Sequence, residues 1–449
     1  MHYEKFQDGT VKCIEDEIPF EVPEGWAWCK LNDIYNFIDY RGATPTKITN
    51  GIPLVTAKNV KSGYIDYTID DYISEEEFKE RQQRGISKKG DILFTTEAPL
   101  GNAALADMEK FSAGQRLITF QQYGSKNELI NYVMLMFILS DFFQQQLYVN
   151  KTGSTVAGIK AAILKTLWIP VPPYNEQLRI SNTLKSAINL IDSISKNKEI
   201  LSTSISNTKS KILDLAIRGK LVSQDSNDEP ASVLLERIRA EKEELIKQGK
   251  IKRDKKESVI FKGDDNSYYG IHLPDSWNWA SLREIALSIS DGSHNPPPNN
   301  GSGIPLLSAA NINDNSILMN EISRWITNEE WKIENQRTNI EVGDVLLTIV
   351  GSIGRSAVVQ NNNHFALQRS VAVIKPCLIN PLYLMHIVQS PQIQKWLTDN
   401  SKGTAQKGIY LNALSLMIIP IPPLAEQARI VEHIHIAYKH LDLISNALL

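Results

Sequence analysis

From residue 175 onward apolar side chains recur at alternating steps of four and three, at Ile180, Leu184, Ala187, Ile191, Ile194, Leu201, Ile205, Ile212 and Leu215. This is a heptad seam, and it predicts one helix from Asn175, read as its cap after the Pro172-Pro173 stop, to Ile217. Lys198 and Thr208 fall on the seam as polar interruptions, which cost stability but fix register. A helix of 43 residues with no Gly or Pro would be about 65 Å long, and a rod of that length needs a partner. The seam returns at Ile430, Ile434, Ala437, Leu441, Ile444 and Leu448, a constant shift of 250 residues. Two equivalent helices in one chain pair most economically about a pseudo-two-fold axis, hence antiparallel with the lobes at opposite ends. An amphipathic helix lying on its own lobe is a credible alternative for the carboxy-terminal segment and a poor one for the long central run. Ile217 shifted by the same 250 residues would fall at position 467, beyond Leu449. The final turns of one arm are therefore expected to be missing or supplied by another chain.

The helices repeat because most of the chain repeats. Pro23-Glu-Gly-Trp26-Ala-Trp28 returns as Pro274-Asp-Ser-Trp277-Asn-Trp279, and Gly51-Ile-Pro-Leu54 as Gly303-Ile-Pro-Leu306. Gly90-Asp91-Ile-Leu93 matches Gly343-Asp344-Val-Leu346, Gly101 matches Gly354, and Gln115-Arg116 matches Gln368-Arg369. Last comes Ile169-Pro-Val-Pro-Pro173 with Glu176-Gln177-Leu-Arg179-Ile180, repeated as Ile419-Pro-Ile-Pro-Pro423 with Glu426-Gln427-Ala-Arg429-Ile430. Locally each Pro-Pro is a strand end and a helix start; the preserved order makes it a duplication with a period near 250 residues.

Within each copy, β-rich runs such as Ile52 to Thr56, Ile92 to Thr96, Leu117 to Phe120, Val345 to Val350 and Val371 to Ile374 lie between Gly and Pro punctuation. Apolar segments from Glu128 to Tyr148 and from Pro381 to Leu397 read as helices packed on them. Each copy is an α+β lobe. The expected fold is two pseudo-symmetric lobes joined by long antiparallel coiled-coil helices, with boundaries at 1–174, 175–218, 219–258, 259–424 and 425–449. In the connector, Asp228-Glu229-Pro230 opens a helix from Ala231 to Lys247. The basic run Lys247, Lys250, Lys252, Arg253, Lys255, Lys256 that follows is ordinarily a solvated linker, with a phosphate or partner contact as the second reading.

Composition narrows the function. With 42% hydrophobic and 22% charged residues the chain is ordinary packed material. Its longest apolar stretch, Tyr132 to Leu139, is too short to span a bilayer, and the amino terminus carries charge where a signal peptide needs an apolar run. Cys13, Cys29 and Cys377 show no C-x-x-C spacing, which suits a reducing cytoplasm. A net charge of −3 counts against binding nucleic acid by bulk electrostatics, so a DNA reader of this composition needs local positive charge or partner subunits.

The duplicated Trp26 and Trp277 segments, the Gly-Asp strands at Asp91 and Asp344, the Gly153 and Gly403 segments and, above all, the twofold Ile-Pro-x-Pro-Pro…Glu-Gln element leading into a helix resemble the specificity subunits of Type I restriction-modification enzymes, over nearly the whole chain. The resemblance implies two target-recognition domains, each reading a few base pairs of double-stranded DNA, with the helices setting an unread spacer. It implies two methyltransferase subunits and motor-nuclease (restriction) subunits as partners. Those subunits would bring S-adenosylmethionine, ATP and Mg; this chain would bind no cofactor and would direct N6-adenine methylation without an active site of its own.

The residues agree that chemistry is missing. Val171-Pro172-Pro173-Tyr174 puts valine where an adenine methyltransferase needs a polar acceptor, and Asn295-Pro296-Pro297-Pro298 lacks the aromatic that stacks a flipped base. There is no strand-to-helix G-x-G-x-x-G and no phosphate-cradling G-x-x-x-x-G-K-[ST]; Gly301-Ser-Gly303 reads as a loop. His433 and His435, two apart on a predicted helix, point to different faces and read as solvent-facing, so no metal site is expected. A fused modifying enzyme and a coiled-coil scaffold without sequence-specific DNA binding remain as alternatives.

Base edges are read by forked donors and amides, and phosphates by Lys, Arg, hydroxyls and loop backbone. By that criterion the candidates in the first lobe are Arg41, Thr44, Lys47, Lys58, Arg116, Lys151, Thr152, Ser154 and Lys160. In the second they are His294, Asn295, Asn311, Arg355, Arg369, Lys402, Thr404, Gln406 and Lys407. Each alone is better explained as an ordinary exposed polar side chain than as a base contact; the set is what merits a test. The loops Tyr40 to Asn50 and Asp291 to Ser302 precede the same strand with unlike composition, which implies unlike half-sites.

Overall fold

Both copies of the duplication fold to the same strand order. In the computed structural model, which describes residues 3–40, 44–123, 129–153, 156–253, 267–403 and 407–448, the chain divides into two units, Met1–Ile194 and Ser195–Leu449. The first unit holds an antiparallel sheet in the order Tyr35–Asp39, Leu117–Gln122, Ile92–Thr95, Ala103–Leu105. The second holds Ala286–Asp291, Val371–Pro376, Val345–Thr348, Ser356–Val358 in the same order and sense. Each unit adds a three-stranded sheet whose middle strand pairs antiparallel on one side and parallel on the other. That middle strand is Ile52–Val55 in the first unit and Ile304–Leu307 in the second.

Each lobe closes by pairing its Trp-containing strand with the strand that ends in Pro-Pro: Ala27–Lys30 with Trp168–Val171, and Asn278–Ser281 with Ile418–Ile421. The Glu-Gln of the repeated element then locks the helix start. Gln177 Oε1 accepts from the Ile130 amide at 2.8 Å while its Nε2 donates to the Pro172 carbonyl at 2.9 Å. Gln427 does the same with Asn380 at 2.9 Å and Pro422 at 3.1 Å. Both glutamines are buried, so these bonds satisfy groups that water cannot reach.

The apolar segments predicted as single helices are each two. Asn131–Leu139 is followed by Asp141–Val149, and Pro381–Val388 by Pro391–Asp399; the expected start at Glu128 lies outside the described residues. The break comes at a serine in extended conformation, Ser140 or Ser390, and Pro391 at the first position of its helix cannot continue the preceding one. Gly101 and Gly354, both with positive φ, sit against these helices. A Cβ there would strike the Gln144 or Gln394 carboxamide, which ties the glycine carbonyl at 3.0 or 2.9 Å to the helix end. Burial pushes the carboxyls of Asp91 and Asp344 up, while the amides of Lys88 and Glu341 hold them at 2.8 Å in equivalent turns.

The central helix runs from Tyr174 to Ile217, so Asn175 lies inside it and is no cap; the preceding Pro173 already starts the turn. In the second unit its carboxy-terminal part packs antiparallel on the helix Leu424–Asn446. The order of contacts establishes the direction. Lys209 pairs with Asp442 at 2.5 Å and Tyr438 donates to the Lys209 carbonyl, whereas Gln224 and Asp228 further along the chain reach back to Glu426 and Arg429. Of the seam, Ile205, Ile430 and Ile434 are buried, and Ile180, Leu184, Ile212, Leu215, Ala437, Leu441 and Leu448 are half-buried. Ala187, Ile191, Ile194, Leu201 and Ile444 are exposed. Among the described residues the seam is covered where it packs on the helix Leu424–Asn446 and, at Ile180, on the first lobe's own core, and it is exposed between Ala187 and Leu201.

The connector is part of the second unit. Its helix, Ala231–Lys247, buries Ala231, Leu234, Leu235 and Ile238 in the same core as Trp277, Trp279 and Ile430. Each large aliphatic side chain so removed from water contributes about 1.5–3 kcal/mol. Polar contacts fix its register: Arg239 with Glu284 at 2.9 Å, Lys242 with the Arg283 carbonyl at 3.0 Å, and the Ala231 amide with the Ser276 carbonyl at 2.9 Å. Of the basic run, Lys255 and Lys256 lie outside the described residues; Arg253 is paired with Glu243 at 2.5 Å. Among the described residues no helix is long and apolar enough to cross a membrane.

Candidate nucleic-acid interface

The loops that leave one edge of the first lobe's sheets converge because short backbone bridges tie them together. Glu97 bridges to Gly158, Thr152 and Gly158 exchange both backbone hydrogen bonds at 2.7 and 3.0 Å, and the Ile159 amide donates to the Thr96 carbonyl at 3.0 Å. This brings Lys151, Thr152 and the exposed Lys160 to the edge that carries Arg116. Arg116 Nε is held by Glu97 Oε1 at 3.0 Å, and beside it Thr44 donates to Gln115 at 2.9 Å. Thr44, Lys47, Lys58 and Arg116 line one cleft of about 310 Å³. Lys47 is paired with Asp71 at 2.7 Å, and Lys151 Nζ stands 3.5 Å over the Tyr148 ring. Lys58 and Lys160 form no ion pair among the described residues. Half-exposed pairs such as Arg116–Glu97 contribute roughly 0–1 kcal/mol, so either member can exchange its partner for a ligand at little cost.

The second lobe builds the same edge from different residues. Val350 takes the place of Glu97, bridging to Gly408, which also bridges to Lys402; the Gly351 amide donates to the Lys407 carbonyl at 3.1 Å. Ser293 bridges to Gln368 and accepts from the Arg369 amide at 2.9 Å, placing His294 beside Arg369 along the chain path. His294 Nε2 lies 2.8 Å from Asp291, a buried carboxylate whose other oxygen is held by Arg337. Asn295, Arg369, Lys402 and Lys407 are exposed. Arg355 is half-buried and close enough to favour the ionised form of Asp314, whose carboxyl burial nonetheless pushes up.

One candidate is corrected. Asn311 is buried, its Oδ1 accepting from the Ser308 amide at 3.0 Å and its Nδ2 donating to the Glu321 carbonyl at 2.9 Å. It braces a loop and is not available to a base. Its counterpart Asn59 does the same with Thr56, Asp66 and Ile69. Arg41, Ser154, Thr404 and Gln406 lie outside the described residues. Glu97, Gln115 and Arg337 were missed by the sequence reading. Only Gln115 had a signal there, being half of the repeated Gln-Arg pair. Among the described residues no cluster of three or more His, Cys, Asp or Glu is arranged to hold a metal, and His433 and His435 are both exposed.

Two loop-bearing edges on two copies of one fold agree with a comparison against known families. The family described as Type I restriction modification DNA specificity domain matches the chain twice, over residues 23–202 and 274–448. The chain belongs to this family. Each match takes in one lobe and the helix that leaves it. The Type I restriction enzyme EcoBI specificity subunit of Escherichia coli is 23% identical over 98% of this chain and 85% of its own length. The EcoEI specificity subunit, also from Escherichia coli, is 26% identical over 99% and 83%. Among solved structures, the HsdS subunit from Thermoanaerobacter tengcongensis superposes with a TM-score of 0.54 at 18% identity, covering 96% of this chain and 93% of that one. A chain from a study of complex assembly and conformational transition of the type I R-M system gives a TM-score of 0.59 at 18% identity, covering 96% and 94%. As a Type I specificity subunit, the chain is a DNA-recognition component.

Proposed function

We propose that each lobe of this specificity subunit reads one half of a bipartite, asymmetric DNA target, that the paired helices set the unread spacer, and that the chain itself catalyses nothing. The observation that carries this reading is the repetition of one loop-bearing edge on two identical strand orders, with unlike residues around a shared arginine: Glu97, Lys58 and Lys160 beside Arg116 on one, Val350, His294 and Lys407 beside Arg369 on the other. Equal frames with unequal donors suit two half-sites of different sequence. Methyltransferase and restriction subunits would assemble on the chain in the cytoplasm and bring S-adenosylmethionine, ATP and Mg. The net charge of −3 is consistent with that division of labour, because phosphate contacts then come from local positive charge or from partners.

The ruler role is tested by inserting one heptad between Leu184 and Leu215 and mapping methylated adenines by single-molecule sequencing in cells carrying the whole system. Half-site centres roughly one helical turn apart, about 34–36 Å, put both lobes on one face of the duplex. The insertion should lengthen the unread gap and leave both half-sites unchanged; an unchanged gap refutes the ruler. Methyl transfer by the purified chain alone would contradict the non-catalytic assignment.

A further inference from the structure

In the second lobe the loop that leaves the strand at Asp291 is fastened on both sides of a short polar stretch. Gly292 passes so close to the neighbouring chain that a Cβ would fall 2.1 Å from the Leu367 carbonyl oxygen, to which the Ser293 amide donates at 2.7 Å. Prolines occupy 296 to 298, and Arg324 donates to the Pro297 carbonyl at 2.7 Å. His294 and Asn295 lie between these fastenings. The His294 ring is itself tied down. Its Nε2 stands 2.8 Å from Asp291, whose other oxygen is taken by the Arg337 guanidinium, while Arg337 Nε donates to the Asp291 carbonyl at 3.0 Å. A carboxylate accepts and does not donate, so the shared hydrogen belongs on Nε2. Nδ1 is then an acceptor in the neutral ring, with no partner among the described residues. The His294 side chain is 53% exposed against 9% for Asp291. The parallel bridge of Ser293 with Gln368 sets His294 beside Arg369, at a strand spacing of about 4.8 Å that is close to the rise of about 3.4 Å per base pair.

We infer that His294 is a specificity-determining residue of the second lobe: in the tautomer fixed by Asp291, its Nδ1 accepts from an exocyclic amino group in the major groove, adenine N6 or cytosine N4 on the strand it faces, and Asp291 and Arg337 are its positioning residues. This rests on the proposed reading of a half-site by the lobe and deepens it. A side chain that must be ordered on binding gives up part of its contact energy; here the ring is ordered on folding, by a buried carboxylate that itself needs both donors. An acceptor facing a base edge that offers only acceptors leaves both without a hydrogen, which is the source of the discrimination. The bridge to Gln368 puts the base read by His294 within one step of the base read by Arg369.

The test maps methylated adenines in cells carrying the complete system with the parent chain, Arg369→Ala, His294→Gln, His294→Asn or Arg337→Met. Glutamine reaches Asp291 with its Nε2 but has no atom at the place of Nδ1; asparagine has an acceptor at that place and no tie to Asp291. His294→Gln should lower the preference at one base by about two- to tenfold, the worth of one hydrogen bond, no more than one step from the base relaxed by Arg369→Ala. His294→Asn should keep that preference, and Arg337→Met should relax the same base alone. In binding by the assembled complex, deleting the amino group from the duplex (purine for adenine, pyrimidin-2-one for cytosine) should weaken the parent by the same factor and leave His294→Gln unchanged. An unaffected His294→Gln map, a relaxed base further away, an asparagine variant as relaxed as the glutamine one, or a parent indifferent to the missing amino group overturns the inference. Relaxation of the whole half-site by Arg337→Met would make that residue a brace of the loop and overturn its positioning role. A parent motif that is not bipartite would sink the half-site reading itself, and this inference with it.

Discussion

His386 offers a perturbation confined to one of two otherwise matching units. Its ring is buried on the helix Pro381–Val388, edge-on to Tyr438 at 6.0 Å, with Nδ1 unbonded. Burial pushes its pKa down from 6.5 to about 4, aided by the nearby His435 and opposed by Gln389. The folded state therefore keeps the imidazole neutral at pH values where the unfolded chain takes up a proton. Stability is whole above pH 6.5 and is lost as pH falls toward 4; at pH 5 the loss is about 2 kcal/mol relative to pH 8. The raised carboxyls of Asp314, Asp344 and Glu426 act in the opposite sense near the acid end, so the contribution of His386 is read as a difference between variants. The first lobe places Met136 at the equivalent position, and residues 3–194 contain no histidine. His386→Met thus installs the first lobe's own residue and removes an unsatisfied buried nitrogen. Urea unfolding at pH 8 and pH 5, with hydrogen exchange to assign each transition to a unit, should show the second unit losing about 2 kcal/mol less in the variant than in the parent. An identical acid loss in both proteins, or a change in the first unit instead, would refute the argument.

Three further outcomes are expected. Asn311→Ala and Asn59→Ala should each cost their own lobe about 1–3 kcal/mol in denaturant unfolding, because each leaves buried backbone groups unpaired; a variant that loses only DNA binding would restore Asn311 as a reader. Ile205→Ala, at a position 7% exposed, should destabilise by about 2–5 kcal/mol. Ile191→Ala, at one 60% exposed, should stay within about 0.5 kcal/mol in the same assay. Lys58→Ala and Lys160→Ala should weaken DNA binding by the assembled complex alike for all sequences and lower the salt slope by about 1 each; a sequence-dependent loss would show base contacts instead.

The duplication made most of the fold legible, because paired sequence landmarks such as Gly101 with Gly354 and Gln177 with Gln427 occupy equivalent structural positions and make equivalent bonds. Heptad spacing likewise predicted the central helix, but periodicity reports which face is apolar and not what covers it. Ile205 and Ile191 look alike in sequence and differ wholly in exposure. Short breaks, at Ser140 and at Gln389-Ser390, divide two apolar segments that hydrophobicity alone runs together. At the loop edges, residue type identified donors but not their long-range partners: nothing near Arg116 in sequence announces Glu97, and nothing about Asn311 distinguishes a buried brace from an exposed amide.

The division of reading between the lobes is tested most directly by mapping methylated adenines in cells carrying the complete system with the parent chain, with Arg116→Ala and with Arg369→Ala. Each arginine fork that reads a base should be worth about 1–3 kcal/mol of discrimination. The account predicts a bipartite motif in the parent, with one half relaxed by Arg116→Ala and the other by Arg369→Ala, the gap constant throughout. A single uninterrupted motif, or both variants relaxing the same half, would contradict it.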